Sequence, residues 1–394
     1  MNTDALKLLL PIVLFALAQP GLAQAKLVPQ RITLESGKTF SLNLPEGFEI
    51  IPAAEGLKRV RFFATSPDGR IFVTDMYNLT DNKRGAIYIL DGWDAGTGKF
   101  DRVIPYLTGL HNPNSVQFYR DAAGQEWIYI AETGRLTRRK FTRGEEKPTD
   151  QNPQTIATFP DDGLSYKYGG WHLTRTIAFS PAGKLYVSVG SSCNSCEEKE
   201  KVRATVLEMN PDGSEGRVFA RGLRNAVGLK WVEDQLYATN QGSDHLGTGR
   251  PDETFYALKE NSDYGWPYCH SSSGRIIPDP KVKRRTGCRG VSRPYAYFPA
   301  RSSAMGFDSF GGKDAEPLRD SILVSLHGST DKSIGRGYKI VAMRKGIPLG
   351  DVITGFLQRG RVVGRPCDIM KIGTDSFLFT DDHGGVVYLV RKRR

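Results

Sequence analysis

The chain has 394 residues, of which 39% are hydrophobic, 10% aromatic and 25% charged, and its formal net charge is +11. This balance is ordinary for a soluble globular protein; the N-terminal apolar run is too short to span a bilayer, and no later stretch is long enough. Length alone suggests two or three domains, yet 43 glycines and 22 prolines suit many short strands joined by tight turns, which a single repeat domain can absorb.

The chain opens on Lys7, an apolar run over residues 8–18 and the small-residue site Ala23-Gln24-Ala25, the three parts of an export signal. The expected division is a signal peptide over residues 1–25 and one domain over residues 26–394, acting in the periplasm or secreted. Export makes the basic runs 281–285 and 391–394 a solvated surface rather than a nucleic-acid patch, while attraction of an anionic small molecule stays open.

Helical periodicity is scarce beyond the leader. A strand–turn–strand signature recurs instead, first over 62–73 around Asp68-Gly69 and most clearly over 177–187 around Ala182-Gly183. Weaker copies are 116–118 with 127–130, 227–229 with 235–238, 305–307 with 321–324, and 369–372 with 376–379. Further strand candidates, such as 86–90 and 385–390, follow most copies. Six copies predict an all-β, six-bladed β-propeller with four antiparallel strands per blade. The early segment 39–52 is expected to complete the last blade and close the ring. A β-sandwich does not repeat one hairpin six times.

Hairpin geometry then limits function. The tight turn lies on one face of the disc, so the start of strand one and the end of strand two meet on the other, near the axis. Before strand one these slots read Lys58-Arg59, His111-Asn112-Pro113-Asn114, His172-Leu173-Thr174-Arg175, Arg224-Asn225, Arg301-Ser302-Ser303 and Arg365-Pro366. After strand two they read Asp75, Glu132, Ser191-Ser192-Cys193, Asn240-Gln241, His327 and Asp381-Asp382-His383. Four of the six histidines fall in them, which predicts one mouth holding an anionic ligand and a general base.

The five cysteines are an odd count. Cys193 and Cys196 read as a short-loop disulfide, because the chain has no second C-x-x-C for zinc and no thioredoxin-like pattern around this one. Cys269 and Cys288 flank a basic insertion and could staple it, leaving Cys367 as the odd thiol; other pairings stay open.

Several motifs occur in a familiar order. Gly169-Gly170-Trp171-His172 leads into 177–187; Arg224-Asn225-Ala226-Val227-Gly228-Leu229, Asn240-Gln241-Gly242-Ser243-Asp244, Pro251-Asp252-Glu253 and Tyr264-Gly265-Trp266-Pro267 follow. The chain resembles the soluble glucose/sorbosone dehydrogenases, which use pyrroloquinoline quinone (PQQ) on a six-bladed propeller. Leu326-His327-Gly328-Ser329 and Gly364-Arg365-Pro366 are more similar to the sorbosone-type branch.

The resemblance implies roles for particular residues. His172 matches the general base and Arg224 the arginine that stabilises charge on the quinone, with Asn225 and Gln241 as further cofactor ligands. Gly242 and Ser243 match the loop whose carbonyls hold Ca2+, although the family more often has Pro where Ser243 stands. Glu253 and the backbone of Tyr264 match a second, structural calcium position. His327 and Lys332 lie where other members place a cationic cofactor ligand, and Arg365 matches an arginine near the cofactor carboxylates. Some members carry a further Arg where Cys367 stands.

The sequence holds no G-x-x-x-x-G-K-[ST] phosphate loop, no convincing Rossmann fingerprint, no H-E-x-x-H and no G-x-S-x-G. The expected activity is a PQQ- and Ca2+-dependent oxidation of a sugar or polyol hydroxyl, with electrons leaving to an external quinone or cytochrome. A calcium-dependent lactonase would instead need an axial metal cluster from slots such as Glu132, Asn114 and Asp381. A binding propeller without catalysis is the third reading.

Overall fold

The computed structural model describes residues 25–160 and 172–393. All but Ala25 of the expected leader, together with Gly169, Gly170 and Trp171, lies outside the described residues.

Two-residue alternation builds the blades. In Ile71–Asp75, Phe72 packs with blade two while Val73, pointing the other way, packs with blade six. In Leu185–Val189, Leu185 and Val187 face blade two and Tyr186 faces blade four. Each sheet is thus apolar on both faces and packs between two neighbours, so six core clusters fill the six gaps between blades. A fully buried side chain such as Ile128 or Phe255 contributes roughly 1.5–3 kcal/mol of apolar burial.

Each of the six blades contains four antiparallel strands, and no α-helix occurs among the described residues. Their first strands are Val60–Thr65, Ser115–Arg120, Arg175–Phe179, Leu229–Val232, Ala304–Ser309 and Pro366–Gly373, each touching the next. The last touches the first, which closes the ring. The closing strand is Phe48–Ala54, paired antiparallel with Val386–Lys392. The expectation that 39–52 as a whole completes this blade needs correction. Thr39–Pro45 pairs with Leu27–Thr33 in a separate two-stranded sheet, and its Phe40, Leu42 and Leu44 pack over the gap between blades five and six.

The hairpin turns explain the recurring Gly. Gly69 and Gly183 adopt φ of +84° and +81°, a region that L side chains rarely visit. Each donates its N–H to the carbonyl three residues back, Ser66 and Ser180, at 2.9 Å.

Blades are also tied at the axis. Thr74, Thr239 and Thr380 sit in second strands and donate their hydroxyls to Asn114 O, Met305 O and Arg61 O of the following blade at 2.8, 2.8 and 2.7 Å. The same hydroxyls accept from their own blades, from Phe62 N, Gly228 N and Asp368 N. Phe62, Val227, Met305 and Cys367 plug the axis. Blade four carries the long insertion over 258–295, whose Ser262–Asp263 adds a parallel strand to blade three and whose Cys269–Ser272 pairs with Arg275–Pro278. Disulfides join Cys193 to Cys196 and Cys269 to Cys288, and Cys367 is a buried free thiol.

Candidate active site

Above the axial plug the slots open into two adjoining cavities of ≈ 430 and ≈ 640 Å³. Both fall within the range that encloses a small ligand. Arg59, Arg61, Asn225, His327 and Arg365 line the first, and Arg224, Gly242, Glu253 and Arg301 line the second. His172, Gln241 and Ser303 line both, so His172 stands at the junction.

His172 is fixed in one tautomer by its neighbours. Its Nδ1 lies 2.9 Å from Ser191 O, a carbonyl that can only accept, so Nδ1 carries the proton and Nε2 holds the lone pair. Burial first and the nearby Arg224 guanidinium second push the imidazole well below its usual range, so it is neutral at pH 7. Its backbone is left-handed, with φ of 49°, a conformation that costs a non-glycine residue on the order of 1–3 kcal/mol. Gly190 makes room for it, since a Cβ there would lie 2.6 Å from His172 Cβ.

Arg224 is buried and held by one residue of the Cys193–Cys196 loop. Its Nε donates to Asn194 O and its Nη2 to Asn194 Oδ1, both at 3.0 Å. Asn194 Oδ1 also accepts from Asp244 N at 2.8 Å, and Asn194 O from Trp266 Nε1 at 3.3 Å. Asn225 donates from Nδ2 to Gln241 Oε1 at 2.9 Å, which aligns two amide groups across blade four.

On the far side a single carboxylate organises the cations. Asp382 is fully buried, accepts from Arg61 Nη1 and His327 Nε2 at 2.7 Å each, and lies 3.4 Å from Arg59 Nη1. Burial alone would raise its pKa, but His327, Arg61 and Arg59 outweigh burial and keep it ionised. Burial holds His327 below its usual range, so its Nδ1 is an acceptor and faces Arg365 Nη1 at 3.4 Å. Arg365 also donates to Gly328 O at 2.9 Å and to Ser329 O at 3.0 Å, and its guanidinium lies 4.8 Å from the Tyr338 ring centre.

The Gln241-Gly242-Ser243 loop is pressed against the third strand of blade four, where a Cβ on Gly242 would meet Asp252 O at 2.9 Å. Glu253 is buried beside it; Arg301 N donates to its Oε1 at 3.2 Å, while its Oε2 has no partner among the described residues. Burial raises this carboxyl to about 7. A buried carboxylate oxygen without a partner among the described residues is a hard donor of the kind that suits Ca2+. Tyr264 lines a small pocket behind the loop, together with Gly242, Asp252 and Thr254, and its hydroxyl donates to Ala257 O at 3.2 Å. Ser243 lines that pocket too, and its Oγ accepts from Trp266 Nε1 at 3.1 Å.

Not every slot reaches the mouth. Neither cavity includes His111, Asn112, Asn114 or Glu132 of blade two. His111 pairs with Asp81, and Asn112 Oδ1 accepts from Asn82 N at 2.9 Å, so the 78–82 loop of blade one occupies that sector and turns Leu79 to the cavity. Asn114 bonds Arg61 and Thr176, Glu132 bonds His111 N and Arg135, and Asp381 accepts from three backbone N–H groups. The three slots named for an axial metal cluster, Glu132, Asn114 and Asp381, are thus each hydrogen-bonded within the protein. Lys332 is exposed and outside both cavities.

Two contributors escape sequence reasoning. Asn194 acts through a backbone carbonyl and an amide inside a motif read for its cysteines. Arg61 stands within a strand whose neighbours are apolar, beside Cys367. A charged residue at an axial position where other blades have Val227 and Met305 is the signal that marks it.

The family model described as Glucose / Sorbosone dehydrogenase matches residues 115–330. A Trichoderma reesei protein of Carbohydrate-Active Enzymes Family AA12, solved with calcium, superposes with TM-score 0.72 at 16% identity, covering 89% of this chain and 96% of its own. The PQQ domain of pyranose dehydrogenase from Coprinopsis cinerea gives 0.70 at 19% identity, covering 89% and 97%. The PQQ-bound aldose sugar dehydrogenase of Streptomyces coelicolor gives 0.60 at 18% identity, covering 88% and 99%.

Proposed function

The chain belongs to the glucose/sorbosone dehydrogenase family, and from that premise we propose that it is an exported quinoprotein that uses PQQ and Ca2+ to oxidise a hydroxyl of a sugar or polyol. The observation that carries the reading is His172, a neutral imidazole with its lone pair on Nε2, at the junction of two arginine-lined cavities.

The cofactor is a planar polycarboxylate, and the residues present fit such a group. Arg224, Asn225, Gln241, His327 and Arg365 would hold it, with Arg59 and Arg61 adding positive charge that Asp382 only partly offsets. The carbonyls of Gly242 and Ser243 would hold the Ca2+ that meets the cofactor, and Glu253 with the backbone of Tyr264 would hold a second, structural Ca2+. Bound there, PQQ would supply the acceptor for the hydride leaving the substrate carbon, and Ca2+ would polarise it. His172 Nε2 takes the hydroxyl proton and becomes an imidazolium. The same Arg224 that lowers its pKa then favours release of that proton towards the open mouth. Asn194 holds the Arg224 fork in one orientation throughout. Two disulfides support a location outside the cytoplasm, periplasmic or secreted. Electrons leave to an external acceptor.

Purified chain given PQQ and Ca2+ is expected to reduce a dye when supplied with aldoses or polyols. H172A should keep PQQ binding and lose roughly 10²–10⁴-fold in turnover. Equal rates in wild type and H172A would overturn the assignment, and ligand binding without turnover in the wild type would make this a binding propeller.

A further inference from the structure

We propose that His245, His270 and Asp279 form a second metal site, apart from the mouth, that takes a transition-metal dication of the zinc class. Their ligand atoms all lie within 4.8 Å of one another. Asp279 is fully buried and its two oxygens are sharply distinguished. Oδ1 accepts from Lys281 N and Val282 N at 2.7 Å each, which fixes the carboxylate from behind. On Oδ2 converge His245 Nε2 and His270 Nε2, both at 2.7 Å, with Ser195 Oγ further off at 3.5 Å. The second nitrogen of His245, Nδ1, is buried without a hydrogen-bond partner among the described residues, and the ring packs edge-on against His270 at 5.6 Å between centroids.

Two imidazoles and one carboxylate are a borderline donor set, better suited to Zn2+ than to the hard Ca2+. Bonds of about 2.0–2.1 Å in a tetrahedral site put neighbouring donors roughly 3.3 Å apart. The cluster therefore has to open by about half an ångström, which the three-residue turn Asp244–Leu246 can supply. Each imidazole gives its Nε2 lone pair to the metal and keeps its single N–H on Nδ1, so no net proton is lost from a neutral ring. Three protein ligands leave a fourth position for water on the His245 side, where the cluster is partly exposed.

The site joins three pieces of chain. His245 follows the Gln241-Gly242-Ser243 loop, His270 lies on Cys269–Ser272, and Asp279 lies inside the segment closed by the Cys269–Cys288 disulfide. A bound dication would anchor the loop of the mouth to the stapled insertion, and this holds whether or not the mouth takes PQQ. The other candidate cluster among the described residues, Cys193, Cys196 and Glu198, has its cysteines oxidised to a disulfide and offers no thiolate.

The test is calorimetric titration of the chelator-treated full chain with Zn2+, backed by Co2+ absorption. The proposal expects one Zn2+ per chain and a Co2+ spectrum without thiolate bands. H245Q and H270Q should each weaken Zn2+ beyond the roughly 10–100-fold that loss of an outer-shell partner costs. H245Q is the safer variant, since His245 is the most exposed ligand, and circular dichroism of its metal-free form checks the fold. Absence of stoichiometric Zn2+, unchanged affinity in H245Q and H270Q, or thiolate bands in the Co2+ form would each overturn the site.

Discussion

His172 and Asp382 show opposite ways of controlling charge in one cavity. His172 is kept neutral by burial and by Arg224. Replacing Arg224 by Met removes the second cause and leaves the first, so the His172 pKa should rise in R224M yet stay below 6.5; an NMR titration of the imidazole reads this directly. The sign for stability follows. A histidine whose folded pKa is lowered binds fewer protons folded than unfolded, so its contribution is present above the unfolded value and is lost as pH falls below it. H172A should accordingly lose less stability than wild type between about pH 6.5 and pH 5, measured by urea unfolding. Asp382 is the reverse, an anion matched by Arg61 and His327. D382N leaves a buried guanidinium poorly compensated and should cost about 3–5 kcal/mol, visible as a lower urea midpoint with unchanged slope.

At the scale of elements, the short Cys193–Cys196 loop does more than close itself. Through Asn194 it holds Arg224, Asp244 and Trp266 together. N194A should therefore loosen Arg224 and weaken PQQ binding by about tenfold, the worth of one charge-assisted hydrogen bond, while Tm moves little. The sequence made this loop visible through its cysteines and hid its role, because a carbonyl acceptor has no residue signature. Hairpins around Gly69 and Gly183 were legible because a left-handed turn demands glycine. The mouth was legible for the same reason, as the hairpin dictates which ends meet. Thr39–Pro45 was not: its alternating burial suits any sheet partner, and only packing of Leu42 and Leu44 selects Leu27–Thr33. Nor could local pattern show that the 78–82 loop of blade one covers the slots of blade two.

For the whole molecule, stability rests on closing the ring. Phe48–Ala54 supplies the outer strand of the last blade, and its Ala53 and Ala54 belong to the core between blades six and one. A chain beginning at Glu55 leaves the backbone of Val386–Lys392 exposed as an open edge. It should aggregate or lose its cooperative thermal transition, and retention of a wild-type transition would argue that the closure is dispensable. The closed ring in turn brings His172 of blade three, Arg224 and Gln241 of blade four, His327 of blade five and Arg365 of blade six to one cavity system. The most direct measurement of the account is the absorbance of PQQ bound to the purified protein with Ca2+, followed after mixing with a panel of sugars and polyols. On this reading at least one substrate reduces the bound quinone in wild type, and H172A binds PQQ equally but reduces it roughly 10²–10⁴-fold more slowly. A protein that takes up no PQQ, or an H172A variant that reduces it at the wild-type rate, would contradict it.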